Sequence, residues 1–252
     1  MDAVKVNNLC FSYRDLNVFD NVHFAVKSGS FTTVLGSGGS GKSTLFRIFC
    51  GDFDYDGSIL IFGKPLSYAL EFGYIGIISK SYKFRGTVFD MFVQVLRDSE
   101  KYMNNAKKEI DRVVKKFSIH DILDFSFSDL SYKNKVLVMI AMMILKRPKV
   151  IIIDNCLNCL DDDYALYELK RLNKKSTIIN ITNNSEECIF GSDVLFLDDA
   201  TCYKVKKMSE DDFSSHGIDA PFIISLSSKL KFYGVISNNY VNMERLVDDL
   251  WQ

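Results

Sequence analysis

The chain contains 252 residues with a formal net charge of −1; 47% of them are hydrophobic and 25% are charged. This composition is ordinary for a globular protein with a large core, in one domain or two. The lack of a basic surplus argues against nucleic acid as a partner. The longest apolar run, 136–145, is too short to cross a bilayer, and the first residues lack a signal-peptide pattern. We therefore expect a cytosolic protein that meets a membrane only through partners.

The six cysteines are expected to be reduced thiols, because a chain of this size without a signal peptide belongs to a reducing compartment. Cys156 and Cys159 form a C-x-x-C pair. A zinc site would require a second pair of ligands nearby, and a redox role would require a thioredoxin-like context. Neither accompanies the pair, so we interpret both cysteines as small residues in a turn after a strand.

Two segments near the N-terminus have the alternation of half-buried strands. Residues 4–11 and 21–26 alternate apolar and polar side chains. A polar stretch at 12–17 predicts a turn between them, and Ser28-Gly29 predicts a second turn. A β-rich lobe is therefore expected at the start of the chain.

A glycine-rich loop follows, and it is the most specific motif in the chain. Residues 36–44 fit G-x-x-x-x-G-K-[ST], the phosphate-binding P-loop, between an apolar strand pattern at 31–35 and a helical pattern at 43–49. Glycines allow backbone N–H groups to close on phosphate oxygens, Lys42 reaches the β- and γ-phosphates, and Ser43 offers its hydroxyl to Mg²⁺. The predicted nucleotide-binding residues of this loop are Gly36, Ser37, Gly38, Gly39, Ser40, Gly41, Lys42, Ser43 and Thr44.

The middle of the chain contains both strand and helix patterns. Gly51 is expected to end the P-loop helix, and strands are predicted at 58–62 and 74–79. Apolar spacing predicts helical structure through 87–117. The many charges at 107–117 are interpreted as a solvated helix face, with a basic binding site as the weaker alternative.

The next elements complete an α/β pattern. A helix is expected from Asp129 to Arg147, where Pro148 stops it, and Val150–Asp154 is an apolar run typical of a buried parallel strand. Strands that alternate with helices predict a parallel sheet. The remaining predicted elements are a helix at 161–172, strands at 177–181, 194–197 and 202–205, and a helix at 243–251.

The stretch from Asp129 to Asp161, together with the P-loop, resembles the motif order of a known protein family. The β lobe, the P-loop, Leu130-Ser131, Pro148 and the strand ending in Asp154 follow one another in an order that resembles the nucleotide-binding domain of ABC transporters. The resemblance covers nearly the whole chain.

The resemblance implies an α/β fold in four parts. These are a P-loop NTPase core with a parallel sheet, an N-terminal antiparallel β lobe, a helical signature-motif lobe at about 87–147, and a small C-terminal extension. It divides the chain into an ABC-type ATP-binding domain at 1–207 and an extension at 208–252.

The C-terminal tail resembles that of one particular class of ABC transporter. Residues 217–222, 226–231 and 243–251 look like the C-terminal extension of ATPase subunits of energy-coupling factor (ECF) transporters. Those systems import vitamins or metal ions such as cobalt and nickel, and they join two ATPase subunits to a transmembrane coupling subunit and a substrate-capture subunit. The resemblance thus implies a peripheral protein at the cytoplasmic face of the cell membrane.

Several positions match the family's nucleotide site. Tyr13 falls where the family has an aromatic that stacks on adenine, and Asp154 matches the Walker B aspartate that holds Mg²⁺ through water. The resemblance therefore implies ATP and Mg²⁺ as cofactors, with Ser43 and Asp154 at the metal. Leu160-Asp161 matches the loop that crosses to the partner subunit.

The family's catalytic positions do not match. Asn155 stands where the family has the glutamate that activates the attacking water, and an amide cannot accept that proton. Asn183 replaces the switch histidine. Lys80 replaces the glutamine that senses Mg²⁺ and the transmembrane subunit.

The signature loop also departs from the family pattern. Leu-Ser-Gly-Gly-Gln becomes the segment 130–134, in which Tyr132 and Lys133 replace the two glycines. Those glycines let a helix N-terminus approach the γ-phosphate bound by the other subunit. Tyr132 and Lys133 are therefore expected to bring side chains into that space, while Ser131 can still donate its hydroxyl.

Because of these departures, we expect the chain to bind ATP but to hydrolyse it only weakly. The leading hypothesis is an ATP-binding subunit of an ECF-type importer with weak hydrolysis of its own, paired with a more active ATPase subunit in an asymmetric dimer. The alternative is a nucleotide-binding regulatory or structural module of ABC fold without a transport role. A DNA-repair or translation ATPase would need a coiled-coil insertion or a tandem domain, neither of which is visible. A small P-loop kinase would leave residues 129–161 unexplained.

Overall fold

The computed structural model describes residues 1–97, 105–160, 163–198, 201–205 and 208–251. The strands within these ranges are β1 Asp2–Tyr13, β2 Leu16–Lys27, β3 Phe31–Leu35, β4 Asp56–Ile61, β5 Lys64–Pro65, β6 Ile75–Ser79, β7 Val150–Asp154, β8 Thr177–Thr182, β9 Asp193–Asp198 and β10 Thr201–Val205. The α-helices are α1 Lys42–Cys50, α2 Leu66–Glu71, α3 Val88–Arg97, α4 Ala106–Phe117, α5 Tyr132–Lys146, α6 Asp163–Asn173, α7 Glu210–Ser214, α8 Phe222–Phe232 and α9 Met243–Leu250.

Two sheets organise these elements. The first is antiparallel with the strand order β2-β1-β4-β5, and the second has the order β10-β9-β3-β8-β7-β6. In the second sheet every neighbouring pair from β9 to β6 is parallel, whereas β10 pairs with β9 antiparallel. The central strands β3 and β8 are entirely buried, as parallel strands covered on both faces are expected to be. The predicted α/β core with an N-terminal antiparallel β lobe is confirmed.

The N-terminal hairpin is longer than its sequence pattern indicates. β1 and β2 remain paired up to Tyr13 and Leu16, so the turn contains only Arg14 and Asp15 instead of residues 12–17. The exposed tip pairs through its backbone and buries few side chains, and apolar alternation cannot report such pairing. The pattern likewise gives no sign of α2, because its six residues are too few to produce a clear helical period.

Three helices, α3, α4 and α5, form a lobe with a shared apolar core that includes Phe92, Val113 and Met139. The helix predicted from Asp129 begins at Tyr132, because the hydroxyl of Ser131 accepts a hydrogen bond from the N–H of Asn134 and so caps it. The helix predicted at 161–172 corresponds to α6, and its expected start at Asp161 lies outside the described residues.

The C-terminal helices pack against the second sheet. Phe213 of α7, Ile223 of α8 and Leu246 of α9 share a buried cluster with Leu35 of β3 and Phe196 of β9. The division of the chain between residues 207 and 208 stays a prediction. None of the helices in the described part of the chain combines the length and the apolar character that crossing a membrane requires.

Candidate nucleotide site

The predicted site residues lie at one edge of the parallel sheet. The P-loop follows β3, Lys80 follows β6, Asn155 follows β7 and Asn183 follows β8. Asp154, the last residue of β7, pairs with Ser79, the last residue of β6, so these strand ends are level. The crevice outside the carboxyl ends of parallel strands is where open α/β sheets bind their ligands.

Close packing fixes both ends of the P-loop. Gly41 is the N-cap of α1 with a φ of 92°, and a Cβ at this position would lie 2.7 Å from Cε1 of Phe19. A Cβ at Gly36 would lie 2.5 Å from the carbonyl oxygen of Leu197. By contrast, a Cβ at Gly38 would meet no atom within 4 Å. The middle of the loop therefore faces open space.

The Lys42 ammonium lies along the loop itself. Its Nζ donates hydrogen bonds of 2.6 Å to the carbonyls of both Gly36 and Ser37, and a 3.2 Å hydrogen bond to Oγ of Ser40. Burial lowers the pKa of Lys42. The first turn of α1 contains no acidic residue that would compete with an anion for the helix N-terminus. Along the loop, the buried residues are Gly36 and Thr44, the half-buried ones are Ser40, Gly41 and Lys42, and the exposed ones are Ser37, Gly38, Gly39 and Ser43.

Tyr13 joins the β lobe to the P-loop helix. Its hydroxyl accepts a 3.4 Å hydrogen bond from Oγ1 of Thr44. The ring meets Phe11 and Phe53 edge-on, with centroids 4.9 and 5.4 Å away. The side chain is 40% exposed. The structure thus brings Tyr13 next to the P-loop and leaves part of its ring open to a stacking partner.

Asp154 is half-buried at the end of β7. The Ser79 hydroxyl donates a 3.0 Å hydrogen bond to Oδ2 of Asp154. Burial raises the pKa of Asp154, while the Ser79 hydrogen bond and the charge of Lys80 act in the opposite direction. A cation at this carboxylate would offset the cost of burying its charge. Ser79 was not predicted to be a site residue, and its place at the end of a strand, before Lys80, is the only signal the sequence offers.

Asn155 is held by the neighbouring strand β8. Its backbone has a φ of 44°, in the left-handed region that asparagine tolerates better than most residues. Its N–H donates a 2.8 Å hydrogen bond to the carbonyl of Ile181, and Oδ1 accepts a 3.2 Å hydrogen bond from the Thr182 hydroxyl. Asn183, which follows Thr182 in the chain, is exposed. The carboxamide of Asn155 is therefore held at the sheet edge by β8.

A buried carboxylate lies behind this edge. Glu187 is 1% exposed, and its Oε2 accepts a 2.7 Å hydrogen bond from the Asn180 side chain. Burial raises the pKa of Glu187, while hydrogen bonds from Asn180 and from the backbone of Asn158 act in the opposite direction. No motif or spacing in the sequence indicates a role for Glu187. It links β8 to the loop that follows Asn155.

The signature segment contacts its own strand β7. The Tyr132 hydroxyl donates a 3.3 Å hydrogen bond to the carbonyl oxygen of Asn155, and the side chain is 37% exposed. The expectation that Tyr132 extends into the space beside a partner's phosphate stays a prediction.

The C-x-x-C pair belongs to the same loop. Cys156 is buried, and Cys159 ends a short 3₁₀ turn whose first residue is Leu157. Within the ranges that the structure describes, no group of three or more His, Cys, Asp or Glu side chains is arranged to hold a metal. The arrangement agrees with small residues in a turn after a strand.

The parallel sheet, the P-loop at its carboxyl edge, the β lobe and the helical lobe together define the P-loop NTPase fold of ABC ATPase domains. A family model described as "ABC transporter" matches residues 19–158. This chain therefore belongs to the ABC transporter family.

Individual relatives indicate which kind of ABC protein the chain resembles. The chain is 30% identical over 97% of its length to the energy-coupling factor transporter ATP-binding protein EcfA1 of Fusobacterium nucleatum subsp. nucleatum, 97% of which is covered. It is 32% identical to the zinc import ATP-binding protein ZnuC of Ehrlichia canis over 71% of each chain. A solved structure of cbiO1 from Clostridium perfringens, part of the ABC transporter complex cbiONQ, superposes with a TM-score of 0.65 at 25% identity, over 80% of this chain and 87% of that one. The resemblance to ECF ATP-binding subunits is confirmed.

Proposed function

We propose that this chain is the ATP-binding subunit of an ABC importer of the ECF type, and that it is the catalytically weaker member of an asymmetric ATPase pair. Its substrate class is a vitamin or a metal ion. The near full-length likeness to an ECF ATP-binding subunit supports the first part, and the likeness to a zinc import subunit is compatible with a metal ion. Selectivity for the substrate belongs to another subunit of such a system.

The observation that carries the proposal is the P-loop at the same sheet edge as Asp154. Open space above Gly38, an α1 N-terminus without acidic residues, and the Lys42 ammonium fit the phosphates of ATP. Ser43 and Asp154 supply the hydroxyl and carboxylate oxygens that Mg²⁺ prefers. Bound Mg²⁺ would neutralise phosphate charge. The half-exposed ring of Tyr13 is proposed to stack on adenine.

The residues beside this site support weak hydrolysis. Asn155 offers a carboxamide, which cannot accept a proton at neutral pH and therefore cannot serve as a general base for water. Its Oδ1 also already accepts a hydrogen bond from Thr182. Lys80 and Asn183 are exposed at the same edge and take the places of the family's glutamine and histidine. We infer that this chain holds ATP at a dimer interface and that a partner ATPase subunit carries out most of the turnover.

Two surfaces support the partners that this role requires. A pocket of about 160 Å³ beside the segment after Lys80 is lined by Tyr82, Phe84 and Met142, with Gln94 and Lys146 as polar lining residues, and we assign it to a side chain of the transmembrane coupling subunit. On α9, Met243, Val247 and Leu250 are exposed on one helical stripe, followed by Trp251, which is 85% exposed. We assign this stripe to the second ATPase subunit. These contacts would hold the chain at the cytoplasmic face of the membrane, together with a substrate-capture subunit.

One experiment tests both binding and partnership. The chain is purified from membranes under mild detergent, its associated subunits are identified, and ATP affinity is measured for the wild type, for Lys42→Ala, and for Lys231→Ala at an exposed lysine of α8. We expect a second ATPase subunit and a membrane coupling subunit to co-purify, and only Lys42→Ala to weaken ATP binding strongly.

Equal affinity in the wild type and Lys42→Ala would refute the nucleotide site. Strong ATP binding by a chain that associates with no membrane subunit would instead favour the regulatory or structural module.

A further inference from the structure

A second concave surface lies at the opposite edge of the parallel sheet. This basic groove has a volume of about 830 Å³ and is formed by α4, the end of α5, the end of α6 and the segment 174–176. Residue 176 precedes β8, whose six residues run to the nucleotide edge at Thr182. At roughly 3.3 Å per residue, the two edges are about 20 Å apart. The groove is therefore separate from the P-loop.

Seven basic side chains line the groove, and two carboxylates hold four of them in position. Glu168 is 2% exposed and pairs with both Lys116 and Arg171. On the other wall, Glu109 pairs with Arg112 at 2.7 Å and with Arg147 at 3.6 Å. Arginines held in this way are ready to donate to phosphate oxygens, which their planar guanidinium groups match.

The other three basic residues are Lys115, Lys174 and Lys175, all exposed. None of them forms an ion pair with a carboxylate among the residues that the structure describes. Their ammonium groups therefore add positive charge to the groove with no opposite charge beside it.

Stabilisation of helix C-termini does not by itself explain why seven basic side chains line the groove. The last turns of α4, α5 and α6 meet here, and each helix C-terminus carries roughly half a negative charge that nearby cations stabilise. These three ends and the two carboxylates together offset about half of the seven basic groups. An excess of about three to four positive charges remains in a concavity whose volume lies in the range of small-molecule sites, about 300–1,000 Å³.

We propose that the basic groove binds a phosphorylated small molecule with about three to four negative charges, of the class that contains a triphosphate group. The site is independent of the P-loop and would be occupied whether or not ATP is bound there. A concave surface whose arginine and lysine side chains are held by ion pairs, two of them to the buried Glu168, favours a compact free anion over a flat layer of lipid headgroups.

Inorganic tripolyphosphate is the probe, titrated calorimetrically into the full chain carrying Lys42→Ala, which removes the P-loop lysine. In that background Lys174→Gln/Lys175→Gln changes the groove, and Lys229→Gln/Lys231→Gln makes the same charge change on exposed lysines of α8. A third variant, Lys115→Gln, changes the opposite wall. Melting temperatures check that each variant is folded.

We expect saturable binding of one tripolyphosphate per chain, weakened at least about tenfold by Lys174→Gln/Lys175→Gln, weakened in the same direction by Lys115→Gln, and unchanged by the α8 pair. Binding that falls equally in both double variants would mean a general charge effect and would overturn the proposal. So would the absence of saturable binding. A parallel arm uses vesicles of phosphatidylglycerol, and association with vesicles without binding of tripolyphosphate would also overturn it, in favour of a lipid surface.

Discussion

The hydroxyl of Tyr132 donates a 3.3 Å hydrogen bond to the backbone carbonyl oxygen of Asn155. The sequence resemblance predicts that both residues stand at positions where the ABC family has a different residue type, a signature glycine and the catalytic glutamate. Burial raises the pKa of Tyr132, so its hydroxyl remains protonated and able to donate. The contact joins the first turn of α5 to the end of β7, and it ties the two altered motifs of this chain to each other.

Removing that hydroxyl should loosen the start of α5 with little effect elsewhere. We expect Tyr132→Phe to lower the free energy of unfolding by roughly 0.5–1.5 kcal/mol, the usual net value of one hydrogen bond. Chemical denaturation measures the change. Tyr233→Phe is the matched control, because that side chain is 75% exposed and the same oxygen is deleted. Equal stability in Tyr132→Phe and the wild type would mean that the hydrogen bond contributes nothing in solution.

The P-loop glycines offer a matched pair of substitutions. Gly41→Ala should destabilise the chain, because its φ of 92° costs a residue with a Cβ about 1–2 kcal/mol and the new methyl group would lie 2.7 Å from Phe19. Gly38→Ala should leave stability nearly unchanged, since a Cβ there meets no atom within 4 Å. Thermal melting of both variants checks the prediction, and an equal loss in the two would contradict the packing described at the end of the loop.

Glu187 makes stability depend on pH in a defined direction. Its pKa is raised by burial in the folded chain, so stability associated with its protonated form is present below the unfolded-state pKa and is lost as pH rises through the folded one. Glu187→Gln cannot ionise and keeps an oxygen for the Asn180 side chain. We therefore expect the variant to gain stability relative to the wild type as the pH rises above the ordinary glutamate pKa of 4.5.

Denaturation at several pH values measures this difference, with the exposed Glu71→Gln as control. A difference for Glu187→Gln that stays constant across the range would show that the carboxyl group does not change its ionisation within it.

The P-loop and Asp154 could be predicted from the local sequence. A glycine pattern between a strand and a helix, or an apolar run that ends in a carboxylate, depends only on residues that are neighbours in the chain. The fold class follows from the alternation of strands and helices. The shared edge of Lys80, Asn155 and Asn183 also follows once the strands are known to be parallel. These features are determined by chain order and periodicity.

Contacts that depend on how α5 and the segment after β8 pack could not be predicted in this way. Tyr132 is 23 residues from Asn155, and nothing in either segment indicates that the two meet. Glu187 follows another glutamate, Glu186, and two adjacent carboxylates indicate an exposed surface, whereas Glu187 is buried. The charges of α4 likewise indicate a solvated face, and only the fold brings the basic end of α6 beside them.

Restoring a general base tests why turnover is proposed to be weak. Asn155→Glu should raise the rate of ATP hydrolysis in the assembled complex by at least about tenfold. The increase should stay below the roughly 10²–10⁴-fold that is typical of a general base, because Lys80 and Asn183 remain unchanged. ATP affinity should change little, since Lys42 and Asp154 are intact. The rate is measured with the partner ATPase subunit inactivated at its own P-loop lysine, so that only this chain's site is observed.

Asn155→Gln is the decisive control for that measurement. Glutamine has the length of glutamate and meets the same left-handed backbone, with its φ of 44°, but its amide cannot accept a proton. Both variants also lose the position of Oδ1 that accepts the Thr182 hydroxyl, so any shared loss of stability cancels in the comparison. A rate increase with glutamate alone identifies the missing base as a cause of slow turnover. Equal rates for the two variants would assign the block to Lys80, Asn183 or the signature segment instead.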